Sequence, residues 1–154
     1  MPRAEPGARG AGRSRASAHV LLLLLLAVGP APAREIVEPD HGGPLAIYRA
    51  EARRLDAAGE ALAIRGLCAS ACTIFLGLRK VCVAPSAVFW FHAARLPGAQ
   101  APPDPLATLE MLSSYPPAVR DWAIRAKALE SLDFDDAKAL SGDDLIRMGL
   151  PRCR

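Results

Sequence analysis

Apolar residues recur along this chain in three arrangements, and each predicts a different kind of element. The first is an unbroken run, AHVLLLLLLAVG, preceded by Arg3, Arg9, Arg13 and Arg15 and followed by GPAPA. Ala31 and Ala33 stand at the small-residue positions of an A-x-A cleavage site, so residues 1–33 read as a secretory signal peptide. A transmembrane helix needs about 20 apolar residues, more than this run supplies. An uncleaved N-terminal anchor is the alternative.

The second arrangement is helical spacing. Leu45, Tyr48, Ala52 and Leu55 recur among Arg49, Glu51, Arg53, Arg54 and Asp56, which predicts an amphipathic helix ending near Gly59. Two further helices are expected over Leu106–Ser114 and Pro117–Ala128, with Pro117 near the first helical position. A last short helix is expected over Asp143–Met148, with Ser141 as N-cap and Gly149 as its stop. The third arrangement is short and β-rich: Ile36-Val37, Ala61–Arg65, Val81–Val83 and the wholly apolar Ala87–Phe91. CASACTIFLGL, from Cys68, reads as a turn that becomes a buried helix toward Leu78. Ala94–Pro105, with four prolines and a glycine, reads as a loop. Strand, helix, strand, helix, strand predicts an α/β fold with a parallel sheet.

Charge changes the picture once the leader is set aside. Residues 1–33 hold four of the 19 basic and one of the 16 acidic residues, which leaves 15 of each over 34–154. The basic excess belongs to the leader, so no nucleic-acid partner is expected. Residues 34–154 are one small domain, and after cleavage no stable membrane span is expected. All four cysteines, Cys68, Cys72, Cys82 and Cys153, lie there, and an even count in an exported chain favours two disulfides. A zinc site of Cys68, Cys72, Cys82 and His92 is the weaker alternative, since its spacing is loose and the compartment oxidising. No metal or other cofactor is expected.

Acyl transfer needs a nucleophile, a base within reach and donors for the oxyanion. Ser70 falls where a strand should turn into a helix, with small neighbours Ala69 and Ala71 leaving room for a substrate. His92 ends an apolar strand. Gly42-Gly43 lies in a loop where backbone N–H groups can face an oxyanion without a Cβ in the way. Each feature has a plainer reading: Ser70 as a helix cap, His92 as a core histidine, the glycine pair as a turn. His41 reads as a solvated loop residue, Trp90 and Phe91 as core, and SSYPPAVRDW (113–122) as a lid or a plain helix connection.

Taken together, the glycine pair at 42–43, a helix, a strand and then GLCAS at 66–70 resemble the ClpP peptidases of the ClpP/crotonase superfamily. RKVCVAPSAVFWFH is similar to the family segment that ends at its histidine, and LSGDDLIRMGL to its closing helix and Gly-Leu. The chain is closer still to exported members with a C-x-S-A-C motif and a Phe-His pair. The resemblance implies a small ClpP/crotonase-like parallel-sheet domain, truncated at the N-terminus, with helices packed around it. It implies Ser70 as nucleophile, His92 as general base, and Gly43 and Ala71 as oxyanion donors. The family's acid aligns on Ala137, so Asp136 beside it is the expected third member, with Asp135 and Asp133 as alternatives.

Four cysteines allow three pairings. Cys68–Cys72 would brace the turn around Ser70. Cys82–Cys153 follows from the resemblance of the segment after Leu150 to a family strand lying near Val81–Val83. Pairing 72–82 with 68–153 is the alternative. The expected function is a periplasmic or secreted serine hydrolase acting on a peptide or small acyl substrate through a Ser70 acyl-enzyme. The family's ATP-driven unfoldase is not an expected partner of an exported chain, and the oligomeric state is left open. A non-catalytic binding module of the same fold and a disulfide-braced structural protein are the other readings.

Overall fold

A computed structural model describes Met1 and residues 33–96 and 101–154. The expected signal peptide, and positions 97–100 of the expected loop, lie outside the described residues. In chain order the elements are β1 (Arg34–Ile36), α1 (Leu45–Ala58), β2 (Leu62–Ile64), β3 (Leu67–Ala69), a 3₁₀ helix (Ser70–Gly77), β4 (Val81–Val83), β5 (Val88–Trp90), α2 (Pro105–Ser114), α3 (Pro117–Arg125), a 3₁₀ turn (Asp136–Lys138), β6 (Ala139–Ser141) and α4 (Gly142–Arg147).

The fold is α/β, but with two small sheets where the pattern predicted one. β1, β2 and β4 form a parallel sheet in the order β1-β2-β4. β3, β5 and β6 form the second, with β3 and β5 parallel and β6 antiparallel to β5. The division occurs because successive strands bend between the sheets. In the connection from β2 to β3 the N–H groups of Arg65 and Gly66 both donate to the Ile36 carbonyl. Ala87 N–H closes a turn on the Ala84 carbonyl between β4 and β5. Such turns keep buried backbone groups hydrogen-bonded while the strand changes direction.

Side chains from both sheets and from the helices meet in one core that includes Leu55, Ile64, Val83, Phe89 and Phe91. α1 lays Leu45, Tyr48, Ala52 and Leu55 on this core, as its spacing predicted. α3 begins at Pro117 but stops three residues before Ala128, where Lys127 takes a left-handed φ of 54°. α4 starts at a capping box: Ser141 Oγ accepts from Asp144 N–H, and the Asp144 carboxylate accepts from Ser141 N–H. The sequence pattern did not predict β3, whose residues read as a turn, the 3₁₀ turn at Asp136–Lys138, or β6; nor did it predict the cap of α2, where the Asp104 carboxylate accepts from Leu106 and Ala107 N–H.

Cys68 is bonded to Cys72 and Cys82 to Cys153. The second bond joins β4 to the C-terminal segment, where Arg152 bridges Val83 in parallel. Among the described residues no helix is long and apolar enough to cross a membrane.

Candidate active site

The segment after β3 is helical, as expected, but it winds as a 3₁₀ helix and its first residue is strained. Ser70 has φ 57°, in the left-handed region that non-glycine residues seldom enter. Such backbone costs on the order of 1–3 kcal/mol and persists only where its surroundings over-determine it. Three features do so here. The Cys68–Cys72 disulfide spans the turn. Thr73 Oγ1 donates to the Ser70 carbonyl at 2.6 Å, giving that carbonyl a local partner in place of the next α-helical N–H.

The third feature is Gly42. A Cβ built on Gly42 would stand 2.7 Å from both the Ala69 carbonyl oxygen and Ser70 Cβ, and 2.9 Å from Ala71 N. Only glycine allows this approach, and its own φ of 79° also suits glycine alone. The loop is brought there by Asp40, which forms a parallel bridge with Cys68. One Asp40 carboxylate oxygen accepts from Gly42 N–H at 2.9 Å and from the Tyr48 hydroxyl at 2.5 Å. Burial and the Asp40 carboxylate raise the Tyr48 pKa well above the ordinary phenol value, so it stays a donor. Asp40 was missed in the sequence because its role depends on α1 folding back over the loop.

His92 reaches the same end of the second sheet. Ala69 pairs with Trp90 across β3 and β5, so Ser70 and His92 follow the ends of neighbouring strands about 4.8 Å apart. Ligand sites in parallel sheets lie outside such carboxyl ends. Ala71 follows Ser70 directly, and Gly43 follows Gly42, the glycine that presses against Ser70. Ala71 is second in the 3₁₀ helix, where first-turn N–H groups lack intrahelical acceptors. Gly43 N–H makes no hydrogen bond among the described residues.

No family model, no curated protein and no solved structure matches the chain. Any role for Ser70 and His92 therefore rests on the site's own geometry.

That geometry differs from the expected triad at the acid. His92 Nδ1 lies 2.7 Å from the Ala93 carbonyl oxygen, which can only accept, so Nδ1 carries the proton and Nε2 the lone pair. Among the described residues the imidazole makes no other hydrogen bond, and Ser70 Oγ makes none. Burial lowers the His92 pKa below 6.5; the Ala93 carbonyl opposes this and the Arg95 charge adds to it, while no carboxylate contributes. Asp133, Asp135 and Asp136 are exposed. The Asp135 carboxylate caps the 3₁₀ turn through Ala137 N–H and lies 3.9 Å from Lys138 Nζ. The 131–136 segment does reach His92, but with Phe134, whose ring centroid lies 4.7 Å from the imidazole and 5.3 Å from Trp90. Asp136 is thus not brought to His92: an aromatic ring fills the contact, and backbone holds Nδ1.

His41 is exposed, and all four cysteines are used in disulfides, which removes the thiolates of the alternative zinc set. Beside His92, Ala93 borders an apolar groove of about 450 Å³ walled by Leu109, Leu112, Ile124 and Leu129.

Proposed function

We propose that the chain is an exported serine hydrolase, a peptidase or esterase of ClpP/crotonase-like architecture, acting in the periplasm or outside the cell. The observation that carries this reading is Ser70 held at φ 57° at the carboxyl end of β3, beside the strand that delivers His92. Strain of this kind in a serine at a strand-to-helix turn is characteristic of exposed nucleophiles. Two disulfides fit an oxidising compartment.

In the reaction, Ser70 Oγ attacks the substrate carbonyl carbon while His92 Nε2 takes the hydroxyl proton. Gly43 and Ala71 N–H groups donate to the oxyanion. The proton passes from Nε2 to the leaving amine or alcohol, and an acyl-enzyme is left on Ser70. Water then attacks the acyl carbon with His92 again as base, releasing the acid and restoring both side chains. The Ala93 carbonyl supplies the correct tautomer, which is one function of a triad aspartate. It does not supply the negative charge that steadies the imidazolium, and Arg95 opposes that cation. A slow hydrolase is expected. A fluorophosphonate probe should label the wild-type chain and leave Ser70→Ala unlabelled; folded wild-type protein that takes no label would sink this reading.

One observation favours a second reading. Among the described residues His92 has no carboxylate partner, and an apolar groove begins at its neighbour Ala93. A binding module that keeps the fold without turnover would show both. Apolar ligand binding that persists in Ser70→Ala, with no probe labelling of wild type, distinguishes it.

A further inference from the structure

Tyr115 follows α2 directly and is one of the largest side chains in the core, 2 % exposed. Its hydroxyl lies 2.7 Å from Thr73 Oγ1, and Thr73 is completely buried. Thr73 has a single hydroxyl hydrogen, and it goes to the Ser70 carbonyl, which has none to offer. The Tyr115 O–H is therefore the donor to Thr73. Burial raises the Tyr115 pKa far above the ordinary phenol value, so the donor hydrogen is retained throughout the working pH range. The result is a directed chain, Tyr115 to Thr73 to the carbonyl of the strained residue.

The ring of the same tyrosine faces the other half of the site. It stands edge-on to Phe91, with centroids 5.5 Å apart, and Phe91 is the residue before His92. The position of Tyr115 is itself set by a close approach. A Cβ on Gly77 would come within 1.9 Å of the Ser114 carbonyl oxygen, so the end of α2 rests directly on the 3₁₀ helix. Tyr115 N–H closes α2 on the Leu112 carbonyl, and Arg120 donates to the Tyr115 carbonyl.

We propose that Tyr115 is a positioning residue for both members of the Ser70–His92 pair: its hydroxyl, relayed by Thr73, holds the turn that presents Ser70, and its ring backs the strand that presents His92. This rests on the hydrolase reading above. Aromatic packing alone would be served by phenylalanine; the hydroxyl is accounted for by the chain to Ser70. A nucleophile displaced by a fraction of an ångström loses rate without losing ground-state binding.

The test is the kinetics of fluorophosphonate labelling, separated into the maximal rate and the half-saturating concentration. Tyr115→Phe keeps the ring and should lower the maximal rate about 10-fold or more, leaving the half-saturating concentration within about twofold. Thr73→Val should do the same, Thr73→Ser should restore the rate, and Tyr115→Phe combined with Thr73→Val should be no slower than Thr73→Val alone. Tyr115→Leu also removes the ring. It should further move the pH midpoint of labelling upward, toward the ordinary histidine value, as water gains access to His92. Wild-type rates in Tyr115→Phe, or a Thr73→Ser as slow as Thr73→Val, would overturn the relay while leaving the hydrolase standing. An unchanged midpoint in Tyr115→Leu would overturn the ring's role. A wild-type chain that takes no label overturns the hydrolase reading, and the positioning role falls with it. Should Tyr115→Phe fail to fold, the Thr73 pair decides the relay.

Discussion

The turn at Ser70 and the segment at 133–138 were expected to contribute to one site, and they are built in opposite ways. The turn is held by a disulfide, by Thr73 on the Ser70 carbonyl and by Gly42 pressed against Ser70 Cβ, with buried residues behind it. The 133–138 segment is mostly exposed: its 3₁₀ turn at Asp136–Lys138 is capped by Asp135, whose carboxylate lies 3.9 Å from Lys138 Nζ. At Ser70 the converging contacts hold a conformation that its backbone alone would disfavour. On the hydrolase reading proposed above, the reacting groups are Ser70, His92 and backbone N–H groups, with no aspartate hydrogen-bonded to His92 among the described residues.

Four experiments bear on that contrast. The largest effect is expected from Gly42→Ala, which sets a methyl against backbone on both sides of Ser70 at a φ of 79°. It should destabilise the chain by about 3 kcal/mol in chemical denaturation and abolish labelling. A stable, fully labelled variant would show the turn to be looser than described. Removing the Cys68–Cys72 bond by paired alanine substitution should cost about 2 kcal/mol on loop entropy and slow labelling of Ser70. Equal labelling after that loss would make the bond a scaffold without influence on the nucleophile.

Labelling should rise with pH through a midpoint below 6.5, since Nε2 must be unprotonated and burial lowers the His92 pKa. Above the midpoint the rate levels off; a midpoint above 6.5 would instead indicate a carboxylate partner. Stability follows the same sign. The unfolded chain binds a proton on this histidine more readily than the folded one, so acidification from pH 6.5 down to the folded pKa removes stability. The smallest effect is expected from Asp136→Asn, which should leave labelling within about twofold. A loss approaching the roughly 10⁴-fold cost of removing a triad aspartate would restore the triad and refute the contrast.

Much of this was legible in sequence. The spacing of Leu45, Tyr48, Ala52 and Leu55 produced α1, and Pro117, Ser141 and Gly149 marked helix ends, because these depend on local backbone chemistry. Ser70, His92 and the glycine pair stood out as residue types suited to acyl transfer. Their common edge in the second sheet followed only from the register of β3 with β5. Residues 133–136 hold three aspartates and Phe134, and only the tertiary structure shows that Phe134 is the one whose ring packs against His92. Tyr115 was hidden in a stretch that reads equally well as a lid or a helix connection; burial made it core.

The sequence by itself determined where most helices lie, most of the strands, which serine and histidine are chemically eligible, and that four cysteines suffice for two bonds. Those are properties of neighbouring residues and of composition. The tertiary structure decided which backbone is strained, which carbonyl holds His92, and which hydroxyl reaches Ser70. Each of these pairs atoms from segments far apart in the chain, and their distances exist only once the core has closed around Tyr115 and Phe91.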